Sequence, residues 1–221
     1  MELWKKSASS IFVFAIVAFA IYFVSDCFMI AAEVADTYPE GILALIIISS
    51  VFALTAFAFM IVYVIKMGAF AKSQHNEEDK TTIDLMRLAF LLAILAGPFT
   101  IVFFNLISEL IYFENDYNTS GISLFGYMVG GLATVVGFCL LAYAANKYRS
   151  SKAIGKNAKE GAKLLLLYAM IVGALQYVSI TAEAASFGVI SSFLSVFSTI
   201  GSAILLIMAW GKIKADDPNV Q

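Results

Sequence analysis

The chain has 221 residues, of which 61% are hydrophobic and 14% charged, and its formal net charge is -2. With a mean hydropathy of +0.88, it lies well outside the composition of soluble domains, which are about half apolar and about a quarter charged. These values exclude a soluble globular protein and predict that residues 1–221 form a single transmembrane domain.

Six segments are apolar over the roughly 20 residues that an α-helix needs to cross the hydrocarbon core of a bilayer. Backbone hydrogen bonds must be satisfied within the lipid, and the alternation typical of barrel strands is missing, so all six are predicted to be helices. In chain order the spans cover Ala8–Ala32, Ile42–Ile65, Leu85–Tyr112, Ile122–Ala145, Leu164–Ala185 and Val189–Trp210. The predicted fold is therefore an all-α, polytopic bundle of six transmembrane helices.

The basic residues predict the orientation of this bundle. Thirteen of the 14 lysines and arginines lie before the first span, after the sixth, or where the second span is joined to the third and the fourth to the fifth, and Arg87 lies two residues inside the start of the third span. The opposite turns carry no basic residue, and two of the three carry acids. By the positive-inside rule, both termini are predicted to be cytoplasmic in a multi-pass protein of the plasma membrane. Membrane lipids with anionic headgroups are the expected partners of the lysines.

The spans pair into three tandem helical hairpins, covering approximately residues 5–72, 82–152 and 159–214, and each hairpin has a short outer turn with a glycine. The odd-numbered spans end in the segments MIAAE, NLISE and SITAE, which recur at nearly equal intervals. This recurrence predicts a quasi-threefold internal repeat. Because the matching segments are short, chance resemblance between hydrophobic hairpins is the alternative.

Polar residues precede these terminal glutamates at helical spacing, so each odd-numbered span has a polar stripe in its outer half. Such stripes are costly against acyl chains, and they are expected to face one another or a water-filled cavity. Asp26 is the deepest member, about 15 Å of helix rise from the outer turn. The candidate ion-binding or substrate-binding residues are Asp26, Glu33, Asn105, Glu109, Gln176, Ser179 and Glu183.

An outward-facing acidic cavity without a basic residue would concentrate cations. The first functional hypothesis is therefore an integral membrane channel or transporter for a small cation, a proton or a cationic solute. A competing interpretation concerns Glu109 and Glu183, which lie about one membrane crossing, roughly 20 residues, from Arg87 and Lys163. Both glutamates could sit at the outer headgroup level, where a charge costs little.

Small residues in the even-numbered spans predict close helix packing within the bundle, with a dimer interface as the alternative. The packing candidates are Gly126, Gly130, Gly131, Ser195, Ser198 and Ser202. Gly97 and Pro98 interrupt the third span. Because proline lacks an amide hydrogen, this pair predicts a kink and a candidate hinge.

The second functional hypothesis is a non-catalytic membrane subunit or anchor that docks partner proteins or a second copy of this chain. An enzyme is not expected, because no catalytic motif accompanies Asp26 and no histidine lies in a span. The single histidine, His75, argues against a bis-histidine haem, and Cys27 and Cys139 are expected to pack as small hydrophobes, so no cofactor is expected. A metal is left open. Nucleic acid is not an expected partner, because the basic residues are dispersed and lack interleaved aromatics.

Overall fold

The computed structural model describes residues 8–34, 39–115, 120–185 and 187–217. All regular secondary structure in these ranges is helical. The helices are α1 (Ala8–Val34), α2 (Pro39–Ser73), α3 (Glu77–Phe90), a π-helical segment (Leu91–Ala96), α4 (Gly97–Asn115), α5 (Ser120–Ser150), α6 (Lys156–Ala184) and α7 (Gly188–Ala215). Because α3, the π-helical segment and α4 are continuous, they form one span.

Six helices in the described ranges are long and apolar enough to cross a membrane, which confirms the predicted all-helical fold with six candidate spans. Several helices continue beyond their apolar segments. The connection between α2 and α3 is reduced to residues 74–76 because α3 begins in polar sequence. The side chain of Asn76 accepts a hydrogen bond from the Glu78 N–H at 3.0 Å, and acids occupy the first turn of α3, where the helix dipole favours them.

Each span packs against its neighbours in sequence, and α7 packs against α1, so the six spans form a closed ring. Between spans that are not neighbours in this ring, no Cα atoms of the described residues approach within 8 Å. The Ala8 N–H donates to Asp217 Oδ2 over 2.7 Å, so the first and last described helices meet at one end. We name this end, which also carries the connections 74–76 and 151–155, the basic end. The opposite end, where α1 stops and α7 starts, is the acidic end.

Large buried side chains fill the interior of the ring near the basic end. Tyr63 of α2 packs edge to face on Phe90 of α3, with ring centroids 5.3 Å apart. The Trp210 indole N–H of α7 donates to the Tyr63 hydroxyl over 2.9 Å, and Phe90 stacks on Tyr168 of α6 at 5.9 Å. Since α2 and α7 are not neighbours in the ring, and neither are α3 and α6, these contacts cross its interior. Tyr63, Phe90, Tyr168 and Trp210 are the aromatic core.

The third span changes its hydrogen-bond pattern just before Gly97 and Pro98. The turn is π-helical over Leu91–Ala96, and the Gly97 N–H bonds to the Leu92 carbonyl five residues earlier. Pro98 has no N–H to donate, which favours irregularity at this point. Gly97 lies against the Gly130 carbonyl and the Thr134 hydroxyl of α5, where a side chain would not fit. The candidate hinge therefore coincides with a wide turn in close contact with α5.

Candidate functional site

Asp26 is the most unusual polar group of the bundle. It lies on α1 about 12 Å of helix rise from Val34, and only 9% of its surface is exposed. The Thr199 hydroxyl of α7 donates to Asp26 Oδ2 over 2.7 Å, and the Ser195 hydroxyl is also within hydrogen-bonding reach. Residues 195 and 199 are four apart, so both hydroxyls project from the same face of α7 towards α1. Two donors from one helix thus hold the carboxyl group.

No basic side chain pairs with Asp26 in the part of the chain that the structure describes. The ion pairs found there are all on segments close to the basic end: Lys80 with Glu77, Arg87 with Asp84, Lys147 with Glu78, and Lys212 with Glu160. A carboxylate in a membrane interior ordinarily pairs with a cation or faces water. Hydroxyl donors alone leave the negative charge of ionised Asp26 without a counter-charge.

Ser25, next to Asp26, ties α1 to its other neighbour. The Ser25 hydroxyl donates to the Ser49 carbonyl of α2 over 3.0 Å, and the Ser49 hydroxyl donates to the Ser25 carbonyl over 3.1 Å. Both serines are buried. Consecutive polar residues therefore fix α1 to α2 on one side and to α7 on the other, and this holds the Asp26 carboxyl in a defined position.

Asn105 of α4 contacts the next span in the same manner. Its amide donates to the Tyr127 hydroxyl of α5 over 3.0 Å. Its carbonyl oxygen is buried and has no hydrogen-bond partner among the described residues. The Tyr127 hydroxyl also lies in the electrostatic field of Glu183, which is exposed one residue before the end of α6. Tyr127 therefore links two candidate residues from different spans.

Gln176 and Ser179 of α6 both bond to α7. The Gln176 amide donates to the Ser198 hydroxyl over 2.7 Å. The Ser179 hydroxyl donates to the Ser191 carbonyl over 3.1 Å. These bonds occupy the polar stripe predicted for the fifth span and direct it towards the sixth.

The hydrogen bonds of Asp26, Asn105, Gln176 and Ser179 each join an odd-numbered span to an even-numbered one. Glu33 and Glu109, the terminal acids of the first two odd-numbered spans, have side chains outside the described residues. A common cavity that unites all three acidic stripes stays a prediction. What the structure brings together is Asp26 with hydroxyls of α7, and Asn105 with Tyr127 beside Glu183.

The small residues of the even-numbered spans lie at helix contacts inside the ring. A Cβ atom on Gly126 would lie 2.5 Å from Cβ of Phe104, and one on Gly130 would lie 2.6 Å from the Gly97 carbonyl oxygen, both on the third span. Gly131 has Ile180 of α6 nearby. On α7, Ser198 and Ser202 are buried, and Ser202 is at hydrogen-bonding distance from the Tyr168 hydroxyl.

The serines of α7 thus donate and accept hydrogen bonds besides allowing close approach of the backbones. Sequence reasoning missed Thr199 and Tyr127, which bond to Asp26 and Asn105. A usable signal for Thr199 was its position within the hydroxyl-rich run of the sixth span. For Tyr127, an aromatic within the glycine-rich segment GYMVGG, no such signal exists.

The described residues contain no group of three His, Cys, Asp or Glu side chains that could hold a metal ion. Cys27 and Cys139 are free thiols, and both are exposed on the surface of the bundle rather than packed inside it. This part of the chain therefore offers no set of side chains that could coordinate a metal ion.

Comparison with known proteins gives no relative: no family model, no curated protein and no solved structure matches this chain.

Proposed function

We propose that this protein is an integral membrane channel or transporter for a small cation, a proton or a cationic solute, with Asp26 as its central binding group. The observation that carries the proposal is a buried intramembrane carboxyl whose described partners are hydroxyls and not cations. Such groups are costly in lipid and in membrane proteins mark ion or substrate pathways. A cation at Asp26 would supply the missing counter-charge.

The arrangement of polar and aromatic groups supports access from the acidic end. Hydroxyl and amide side chains bond α6 to α7 at the level of Asp26 and nearer the acidic end, whereas the aromatic core fills the ring towards the basic end. A cation would enter among the acids at the acidic end and meet Asp26 before it met the aromatic core. The acidic end is outward-facing in this proposal, and both termini are cytoplasmic in the plasma membrane, as the positive-inside rule predicts.

The internal hydrogen bonds also support a bundle of three tandem hairpins with quasi-threefold repetition. Each pair of spans joined at the acidic end has a polar bond between its two helices: Ser25 with Ser49, Asn105 with Tyr127, and Ser179 with Ser191. In the first and third hairpins the bond joins two serine hydroxyls at 3.1 Å. The second hairpin replaces this serine pair with an amide and a phenol, as expected for a diverged copy.

One observation favours a second function, that of a non-catalytic membrane subunit or anchor that docks partner proteins. The aromatic contacts close the interior of the ring, and most polar groups of the candidate site already have protein partners. A bundle of this kind would serve as a rigid scaffold in a larger complex. Under this function Asp26 would be a structural tie between α1 and α7.

Flux measurements separate the two functions. The purified chain is reconstituted in proteoliposomes on a solid-supported membrane, and currents are recorded after concentration jumps of H⁺, Na⁺, K⁺ or methylammonium. We expect a current for at least one of these cations that is abolished in Asp26→Asn and retained in Asp84→Asn. Asp84 is the matched control, because it is a partly exposed acid near the basic end that pairs with Arg87. An unchanged current in Asp26→Asn, or no current with any cation, would favour the scaffold.

A further inference from the structure

A polar cavity of about 160 Å³ lies at the basic end, and Asp26 is not among its lining residues. It is bordered by the connections 74–76 and 151–155 and by the end of α7. Its lining combines apolar side chains, the carboxyl groups of Asp79, Asp216 and Asp217, and the polar side chains of Gln74, His75 and Asn76. Water in bulk occupies about 30 Å³ per molecule, so there is room for about five waters or one small solute.

Tyr148 of α5 distinguishes this cavity from an ordinary acidic surface. Its side chain lines the cavity and is only 3% exposed. The hydroxyl lies in the electrostatic field of all three carboxylates, yet it has no hydrogen-bond partner among the described residues. A buried phenol ordinarily finds a partner. The space in front of this hydroxyl is therefore suited to a group that donates or accepts a hydrogen bond.

Asp79 presents a second unfilled position. It is 3% exposed, and one carboxylate oxygen accepts from the Asn76 amide at 3.3 Å. The other oxygen has no partner within the described ranges. A carboxylate offers about four acceptor positions, so Asp79 can accept further bonds from a molecule in the cavity.

Charge determines which kind of molecule fits. Each of the three acids lies at a helix N-terminus: Asp79 in the first turn of α3, Asp216 on the Ala158 N–H of α6 at 2.8 Å, and Asp217 on the Ala8 N–H of α1. Among the described residues, the lining of the cavity has these three carboxylates and no lysine or arginine. It therefore attracts a cation and repels an anion.

We propose that this basic-end cavity binds a primary ammonium group. An ammonium of this type has three N–H donors, which match the Tyr148 hydroxyl, Asp79 and the neighbouring aspartates. The apolar lining residues Phe70, Ile154 and Ile213 are available to contact the adjoining alkyl carbons. A quaternary ammonium has the charge without the donors, and a bare metal ion finds no group of three ligands in the described chain. The ammonium can come from a free small amine or from an ethanolamine-type lipid headgroup.

The test uses the full chain in nanodiscs made only of choline-headgroup lipid, with n-propylammonium as the probe. We expect propylammonium to raise the thermal unfolding temperature in a saturable manner, as a ligand specific for the folded state does. Tetramethylammonium, which lacks N–H donors, and propanol, which lacks the charge, should give little shift. Equal shifts with all three probes would overturn the proposal and leave a cavity that holds water only.

Two substitutions with matched controls locate the site. Tyr148→Phe and Asp79→Asn should each weaken propylammonium binding about tenfold or more, because each removes a hydrogen-bonding partner of a charged group. Tyr143→Phe and Asp84→Asn are the controls: Tyr143 lies on the same helix but is 62% exposed, and Asp84 lies on α3 outside the cavity lining. If either cavity variant does not fold, the comparison of the three probes on the unaltered chain still decides. Unaltered binding in a folded Tyr148→Phe variant would contradict the proposal.

A second experiment, in nanodiscs that contain ethanolamine lipids, identifies the source of the ammonium group. Native mass spectrometry after extraction from mixed nanodiscs should show one ethanolamine lipid retained, and less in Tyr148→Phe than in Tyr143→Phe, if the headgroup is the ligand. If no ethanolamine lipid is retained but propylammonium raises the unfolding temperature, the ligand of the site is a free amine. The proposal is overturned if no ethanolamine lipid is retained and propylammonium does not raise the unfolding temperature.

Discussion

The two halves of the ring are held together by different forces. Towards the basic end, bulky aromatic side chains meet across the interior, and carboxylates satisfy the first N–H groups of helices. Towards the acidic end, hydroxyls and amides bond each span to its neighbour in the ring. Among the described residues of this half, no side chains meet across the interior of the ring. The first half is suited to stability and closure, while the second holds polar groups, among them Asp26, buried between neighbouring spans.

The largest expected effect comes from truncation of the aromatic core. Trp210→Ala removes the edge-to-face contact and the hydrogen bond to Tyr63, and burial of so large a side chain is worth about 3–5 kcal/mol. We expect the free energy of unfolding, measured by denaturation in mixed detergent micelles, to fall by about this amount. Met208→Ala on the same helix is the control, because Met208 is exposed. Equal losses would mean that the basic-end half is not the stable half.

An added methyl group tests how closely the third span approaches α5. A Cβ atom at Gly137 would come within 2.5 Å of the Ala93 backbone nitrogen, which cannot yield without movement of the helix. Gly137→Ala should therefore destabilise the bundle by about 1–3 kcal/mol. In Gly201→Ala the nearest side-chain atom would be 3.6 Å away, so a neutral or slightly stabilising effect is expected. The same denaturation measurement compares the two variants.

Asp216 joins the end of α7 to the start of α6 through the Ala158 N–H and the Asn157 amide. Asp216→Ala removes both bonds, and loss of such a cap costs about 0.5–2 kcal/mol. Hydrogen exchange should speed up at the first amides of α6. Asp84→Ala removes only an exposed ion pair with Arg87, for which about 0–1 kcal/mol is expected. Unchanged exchange in Asp216→Ala would show that the cap does not hold the basic end together.

The smallest effect is expected at the acidic end. Ser179→Ala removes a hydroxyl that bonds to Ser191, and bonds between transmembrane helices average about 0.6 kcal/mol. Thr181→Ala is the control, since the Thr181 hydroxyl bonds within its own helix to the Tyr177 carbonyl. If Ser179→Ala lowered the free energy of unfolding as much as Trp210→Ala does, the two halves of the ring would not differ in their contribution to stability.

The helices were predictable from the sequence because their determinant is local. A run of about 20 apolar residues has few alternatives in a bilayer, and each predicted span overlaps one of the six candidate spans of the structure, although some ends differ by eight residues. The polar ends were less clear. Helix α3 begins at Glu77, in charged sequence, because Asn76 caps it and the acids that follow suit its N-terminus.

The partners within the candidate site could not be predicted, because they are determined by the closure of the ring. Asp26 bonds to Thr199, and Ala8 to Asp217, across nearly the whole length of the chain. A helical pattern indicates which residues share a face but not which span that face meets. Thus helical spacing predicts which polar residues share a face, whereas the bonds of Asp26, Asn105, Gln176 and Ser179 to even-numbered spans follow only from the packing of the ring.

The central claim is that cations from the membrane exterior reach the Asp26 carboxyl. Dicyclohexylcarbodiimide reacts with carboxyl groups in apolar surroundings, and mass spectrometry of the digested protein locates the adduct. We predict labelling of Asp26 that falls severalfold as Na⁺, K⁺ or methylammonium is raised or as protons are removed, and that is absent in Asp26→Asn. Labelling that is equal under all these conditions, or that occurs at Glu183 but never at Asp26, would contradict the account.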